Sequence, residues 1–238
     1  MVKLVSFPPV SNASSDGLLA MGGELSIDTL VSAYSQGIFP WFSDDQPILW
    51  WSPNPRMVLF PNDIKISRSL GKTLRRGTFR VSCNTEFNKV IQACALRGQQ
   101  NPTIPKADTW ITDSMNQAYS DMHERGYAHS IEVWQDNALV GGLYGVVLSN
   151  VFFGESMFSR ATDASKVALV ALCRWLQAQS FSIIDCQVAS DHLLSLGAIE
   201  ITRERFLKYL SPIDITQENV NFSTGFERFM HDNAITKQ

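Results

Sequence analysis

The densest chemistry in the sequence lies between Phe152 and Lys166, FFGESMFSRATDASK, where Glu155, Ser156, Ser159 and Arg160 set a carboxylate, two hydroxyls and a cation around Met157. Phe152 and Phe153 open the run as an apolar strand and ASK begins a helix, so the polar groups fall on a strand-to-helix junction. Open α/β sheets present ligands to loops at the carboxyl ends of their strands, which makes this junction a candidate site. A helix N-cap followed by a solvated turn has the same spacing. Further on, SIIDCQV alternates Asp185 and Gln187 with Ile184, Cys186 and Val188, so the two polar side chains share one face of a strand. A charged residue is rarely buried alone, and Asp185 therefore needs a cationic or hydrogen-bonding neighbour, or a cavity.

Two other clusters suit a nucleic-acid ligand. Lys65, Arg68, Lys72, Arg75, Arg76 and Arg80 follow one another with no acidic residue between them, in a chain of net charge −3. A one-signed patch of this kind fits phosphate contacts, and equally a solvated helix face. Upstream, Trp41, Trp50 and Trp51 sit among Pro40, Pro47, Pro53 and Pro55. Aromatic rings on such rigid loops can stack on a base or sugar, or can staple a small β-rich subdomain.

These groups must be held by a chain of 238 residues, 45% apolar, long enough to bury a substantial core. No window reaches the roughly 18 to 20 apolar residues of a membrane span, and MVKLVSFPPV lacks the apolar run of a signal peptide, so the expected compartment is the cytoplasm. Cys83, Cys94, Cys173 and Cys186 are far apart without CxxC spacing and are expected as buried, reduced thiols rather than a metal site. Ser26 caps a helix that stops at Gly37, Ser67 caps a basic helix to Arg76, and Thr85 to Leu96 and residues 112 to 125 carry helical periodicity. Strands are expected at Phe79 to Cys83, His129 to Gln135, Leu139 to Leu148 and Val151 to Phe153, the last three as an antiparallel meander. A buried helix over Ala164 to Ala178, the strand Ser182 to Val188, a short helix over Asp191 to Leu196, a strand at Ala198 to Ile201 and a helix over Arg203 to Leu210 complete the ordered part. The polar tail beyond Asp214 is expected to be ordered only in pieces.

From Phe79 onward this order, β-α-α-β-β-β-α-β-α-β, resembles the GNAT acyltransferase superfamily. The implied fold is α+β: a mixed, splayed sheet with flanking helices over residues 63–238, preceded by a small N-terminal β-rich subdomain over residues 1–62. That resemblance places the ligand where the strands bearing Phe152-Phe153 and Asp185 part. An acetyl-CoA enzyme would need a glycine-bearing pyrophosphate loop at the start of the long helix, and here that segment reads RATDASK, which argues against CoA as donor.

The blocks GLLAMGGELS, GIFPWF, PILWWSPNPR, SRSL, TWIT, AHSIEVW, LVGGLYGV, FFGESMFS, ASK, IDCQV and HLLSLGA run in order from Gly17 to Ala198 and resemble the leucyl/phenylalanyl-tRNA–protein transferase family. The resemblance implies an aminoacyltransferase that moves Leu or Phe from Leu-tRNA or Phe-tRNA to proteins beginning with Arg or Lys, marking them for degradation, with no metal and no redox cofactor. It also implies roles. Trp41 and Trp110 would contact the terminal aminoacyl-adenosine, with Ser159 and Met157 facing the transferred amino acid. Leu143, Met157, Leu172, Leu176 and Ile184 would line its side-chain pocket. In some members phenylalanine stands at 172 and 176 and methionine at 143, so this pocket would be larger or differently selective, or simply repacked. Glu155 or Asp185 would meet the acceptor's cation, and the family's chemistry assigns Asp185 a general-base role relayed through Gln187. Because an α-amine of pKa about 7.7 to 8 is already partly neutral, positioning could supply much of the rate instead. The basic cluster from Lys65 to Arg80 would hold the acceptor stem. The alternatives are a GNAT-like acyltransferase with another small donor and a non-catalytic tRNA- or degron-binding module.

Overall fold

The computed structural model describes residues 3–96, 111–210 and 222–232. Its first elements are the strand β1 (Leu18–Met21), the helix α1 (Ile27–Ser35) and the strands β2 (Phe39–Pro40), β3 (Leu49–Trp51) and β4 (Arg56–Leu59). Next come α2 (Arg68–Arg76), β5 (Arg80–Cys83), α3 (Phe87–Ala95) and α4 (Asp113–Glu124), then the meander β6 (Ala128–Gln135), β7 (Ala138–Leu148) and β8 (Val151–Ser159). The chain continues through α5 (Ala164–Ala178), β9 (Ile183–Gln187), α6 (Asp191–Ser195), β10 (Ile199–Ile201), α7 (Arg203–Leu210) and α8 (Phe222–Asp232). Helix starts follow the expected chemistry: Ser26, Ser67 and Thr112 each accept the backbone N–H three residues on.

Two sheets result. β1, β3 and β2 form a small antiparallel sheet, and a seven-stranded sheet runs in the order β10-β4-β9-β8-β7-β6-β5. Only β8 and β9 run parallel among its paired neighbours, and they pair for three positions, ending at Phe153 opposite Asp185. Beyond that point β8 continues along β7 to Ser159 while β9 continues along β4, so the sheet opens between them. This is the expected GNAT-like splay. One layer packs α5, α2 and α8 beneath the sheet, with Leu169, Leu172, Phe222 and Phe226 among its buried residues. The other packs α1, α3, α4 and α7 above it, around Tyr34, Val90, Tyr119 and Phe206.

Two expectations need correction. The strand placed at Val151 to Phe153 runs on to Ser159, because Met157 and Phe158 keep pairing with Leu143 and Gly142. Glu155 therefore stands on a strand and not in a loop. The segment Arg56–Leu59, assigned above to the small subdomain, is an inner strand of the large sheet, where its four residues are buried between β10 and β9. The polar tail, expected to be ordered only in pieces, contains one ordered piece, α8, whose Phe222 and Phe226 are buried against the Trp175 ring. Its apolar stripe at a spacing of four is a helix signal that the surrounding polar composition masks.

Candidate functional site

Glu155 owes its position to a β-bulge. Ser156 pairs with Tyr144 and Gly154 with Gly145, so Glu155 is the extra residue between two paired positions. A bulge re-aims a side chain and increases local twist, here at the point where β8 leaves β9. Gly145 is required opposite it, since a Cβ there would lie 2.2 Å from the Phe153 carbonyl oxygen. The carboxylate turns toward α1 and α4. Tyr34 Oη lies 2.8 Å from Oε1, Tyr119 Oη lies 2.8 Å from Oε2, and the Gln187 amide donates to Oε1 at 2.9 Å. Tyr34 and Tyr119 are fully buried and also touch each other, Oη to Oη 2.5 Å. Burial outweighs these donors and raises the Glu155 carboxyl to about 7, with the nearby Asp185 charge adding to the rise.

Asp185 has a cation already. Arg56 Nε and Nη2 donate to its two oxygens at 2.8 and 2.6 Å, and both side chains are essentially inaccessible. The guanidinium is sandwiched between the Phe39 and Phe206 rings, 4.7 and 4.8 Å from their centroids. Asp185 Oδ1 also accepts the Gln187 backbone N–H at 2.9 Å, and Gln187 has a left-handed backbone with φ 64°. A non-glycine residue is held in that region only by surrounding structure. Here the Arg56–Asp185 pair and the Gln187–Glu155 bond hold it from two sides. The shared face read from alternation thus dissolves into a chain of contacts: Arg56 fixes Asp185, Asp185 fixes Gln187, and Gln187 reaches Glu155.

Two cavities meet at this carboxylate. The first, about 340 Å³, lies in the sheet opening and is lined by Leu143, Met157, Leu169, Leu172 and Ile184, with Glu155 and Cys186 at one side. The second, about 330 Å³, is bounded by Phe39, Pro40, Trp41, Gln187 and Val188, again with Glu155 and Cys186. Cys83, Cys94 and Cys173 are buried and Cys186 is half-buried, all as thiols outside any disulfide. Among the described residues no cluster of His, Cys, Asp and Glu could hold a metal ion.

Of the candidate pocket residues, Leu143, Met157, Leu172 and Ile184 line the first cavity, whereas Leu176 is fully buried one helical turn further along α5 and does not. Leu169 faces the cavity in its place. Ser159 is not at the cavity either: it is exposed, donates to the Ala161 carbonyl at 2.8 Å and accepts the Ser165 N–H at 3.2 Å, which caps α5. Ser159 thus satisfies an N–H at the head of α5, whose N-cap position is Asp163, while Glu155 stands beside both cavities. Trp41 is 42% exposed at the second cavity, while Trp50 is buried with its indole N–H on the Gly22 carbonyl, a structural staple. Trp110 lies outside the described residues. Lys65, Arg68, Lys72, Arg75, Arg76 and Arg80 are all exposed, the middle four on α2, which Thr73 ties to Asp163 at the head of α5.

Sequence reasoning missed Arg56, Tyr34 and Tyr119. Asp185 called for a cationic or hydrogen-bonding neighbour, or a cavity, and nothing local points to Arg56. Both tyrosines lie on the apolar stripes of their helices, where a core role is the default.

Comparison with known proteins agrees over most of the chain. Residues 58–211 match the family model described as leucyl/phenylalanyl-tRNA protein transferase, and residues 23–54 match the N-terminal domain of the same family. A leucyl/phenylalanyl-tRNA–protein transferase of Nitrosospira multiformis is 52% identical over 95% of this chain and 94% of its own. The corresponding protein of Aromatoleum aromaticum is 57% identical over 84% and 83%. Solved structures with partial likeness include L-PGS from Bacillus licheniformis, 8% identical with a TM-score of 0.40 over 85% of this chain and 70% of that one. An aminoglycoside acetyltransferase from a soil metagenomic sample is 15% identical with a TM-score of 0.37 over 58% and 90%.

Proposed function

The chain belongs to the leucyl/phenylalanyl-tRNA–protein transferase family and is an aminoacyltransferase; from that premise we propose how its two cavities divide the reaction. The apolar cavity takes the leucine or phenylalanine side chain of the aminoacyl-tRNA, with Leu143, Met157, Leu172 and Ile184 excluding water. The terminal adenosine stacks near Trp41, and the exposed cations of α2 with Lys65 and Arg80 neutralise phosphates of the acceptor stem. The acceptor is a protein beginning with Arg or Lys, whose amine reaches the ester at the junction where Glu155 and Gln187 meet. The enzyme works in the cytoplasm, where charged tRNA is made.

The amine nitrogen attacks the ester carbonyl carbon, a C–N bond forms, the C–O bond to the ribose breaks, and the ribose oxygen gains the proton that the amine loses. Gln187 and Glu155 orient the amine. Asp185 is a positioning residue: its oxygens are taken by Arg56 and by the Gln187 N–H, so its work is to fix Gln187 rather than to remove a proton. Holding amine and activated ester together is worth several orders of magnitude in rate. The observation that carries the reading is that Glu155 and its partner Gln187 stand where an apolar cavity and an aromatic-rimmed one adjoin. The test supplies radiolabelled Leu-tRNA with peptides beginning with Arg or Ala. Transfer to the Arg peptide alone is expected, and equal transfer to both would overturn the reading.

A further inference from the structure

Three groups, Glu155, Tyr34 and Tyr119, make three mutual contacts: Tyr34 to Glu155 Oε1 at 2.8 Å, Tyr119 to Glu155 Oε2 at 2.8 Å, and Tyr34 to Tyr119 at 2.5 Å. Every one of these is oxygen against oxygen at hydrogen-bond distance and needs a proton. Each phenol supplies one proton, and an ionised carboxylate supplies none. With Glu155 ionised, both phenol protons go to the carboxylate and the two phenol oxygens are left lone pair against lone pair at 2.5 Å, buried from water. With Glu155 protonated, the count closes. The carboxyl donates to one phenol, that phenol donates to the other, and the second donates back to the carboxyl. The Gln187 amide donates to Oε1 in addition.

We propose that Glu155 rests as the neutral acid, its proton shared round a closed ring with Tyr34 and Tyr119, and that it releases this proton when the cationic N-terminal residue of an acceptor enters beside it. Resting neutrality solves a problem of burial, because an unpaired carboxylate at this depth is costly. The groups facing Glu155 agree. Tyr34 comes from α1, Tyr119 from α4, Tyr144 from β7, and Asp185 and Cys186 from β9; the phenols and the Cys186 thiol are all held above their ordinary ranges, so neutral. Arg56 from β4 is paired with Asp185, and among the described residues no cation is paired with Glu155. A cationic acceptor supplies the missing counter-charge, and the two phenol protons then both turn to the new carboxylate. The chemistry selects a cation by making ionisation of Glu155 depend on it. This inference rests on the proposed acceptor site, but its first test does not require transfer.

Difference infrared spectroscopy of the full-length enzyme, with Glu155→Gln as reference, looks for a protonated carboxyl band. The expected band is present at pH 6, absent from Glu155→Gln, fades with a midpoint near 7, and shifts in Tyr119→Phe. A Glu155 already ionised at pH 6, or a band that Tyr119→Phe leaves unmoved, overturns the ring. Calorimetry at pH 6 in buffers of different ionisation enthalpy then follows peptide binding. An Arg-initiated peptide should release about one proton and an Ala-initiated peptide none. Binding without proton release, or no preference for the Arg peptide, overturns the exchange while leaving the transfer assay to judge the enzyme's activity separately.

Discussion

At the scale of single residues, the raised carboxyl of Glu155 makes a prediction about stability. Its folded value of about 7 exceeds the ordinary 4.5, so the stabilisation it contributes is complete below about 4.5 and is lost as pH rises through about 7. Urea unfolding should show the parent chain losing roughly 3 kcal/mol relative to Glu155→Gln between those limits; parallel pH profiles for the two would refute it. Gln keeps a donor and an acceptor for the tyrosines, so the variant should fold while losing most transfer activity. The Arg56–Asp185 pair predicts the opposite pattern. Arg56→Ala strands a buried carboxylate and should cost about 3–5 kcal/mol, visible as a lower urea midpoint, whereas Arg56→Ala with Asp185→Ala should recover part of that. If the double variant were no more stable than the single, the pair would not be the source of the cost. A third residue, Leu172, lines the apolar cavity directly. Leu172→Phe should lower the use of Phe-tRNA relative to Leu-tRNA by roughly tenfold or more, read as the ratio of kcat/KM. What the sequence showed at this scale was residue type and not partner: Asp185 announced that it needed a cation, a hydrogen-bonding neighbour or a cavity, and only tertiary pairing reveals Arg56.

At the scale of elements, periodicity placed α5, α4, β6 and β7 because each is long and buried on a defined face, so pattern and packing agree. It failed at β8. Bulges carry no periodic signal, since the extra residue breaks the alternation on which a strand is recognised, and GES looked like a loop. The same bulge sets the direction of the side chain, turning Glu155 toward α1 and α4 while Met157 stays on the cavity side. Ser159 and Leu176, expected as members of the site, stand beside the cavity, because two residues of strand or one turn of helix separate a lining side chain from a cap or a core contact. For α2 the sequence already held the whole case: its cations are exposed and its apolar Leu70 and Leu74 face inward. Replacing Arg75 and Arg76 by Ala should leave folding intact, weaken tRNA binding and reduce the log–log salt slope by about 2. An unchanged slope would make α2 an ordinary solvated face.

At the scale of the molecule, the small N-terminal region and the large sheet are parts of one site. α1 delivers Tyr34 to Glu155, β2 carries Phe39 onto Arg56, Trp41 rims the second cavity, and β4 lies between β10 and β9. Composition suggested a boundary near residue 62, since prolines and tryptophans give way there to regular periodicity. Strand order cannot be read from composition, and β4 crosses that boundary. A chain beginning at residue 63 would therefore lose more than a recognition module. β10 would have no partner strand, Asp185 would be buried without Arg56, and Glu155 would lose one of its two tyrosines. Each loss alone costs a large fraction of the roughly 5–15 kcal/mol that holds a typical domain together. The expectation is that residues 63–238 expressed alone lack a cooperative unfolding transition and near-ultraviolet dichroism. A chain beginning at Gly17 retains β1, α1 and β4 and should unfold cooperatively. If residues 63–238 unfolded cooperatively, the large sheet would close without β4, and the N-terminal region would be a separable module after all.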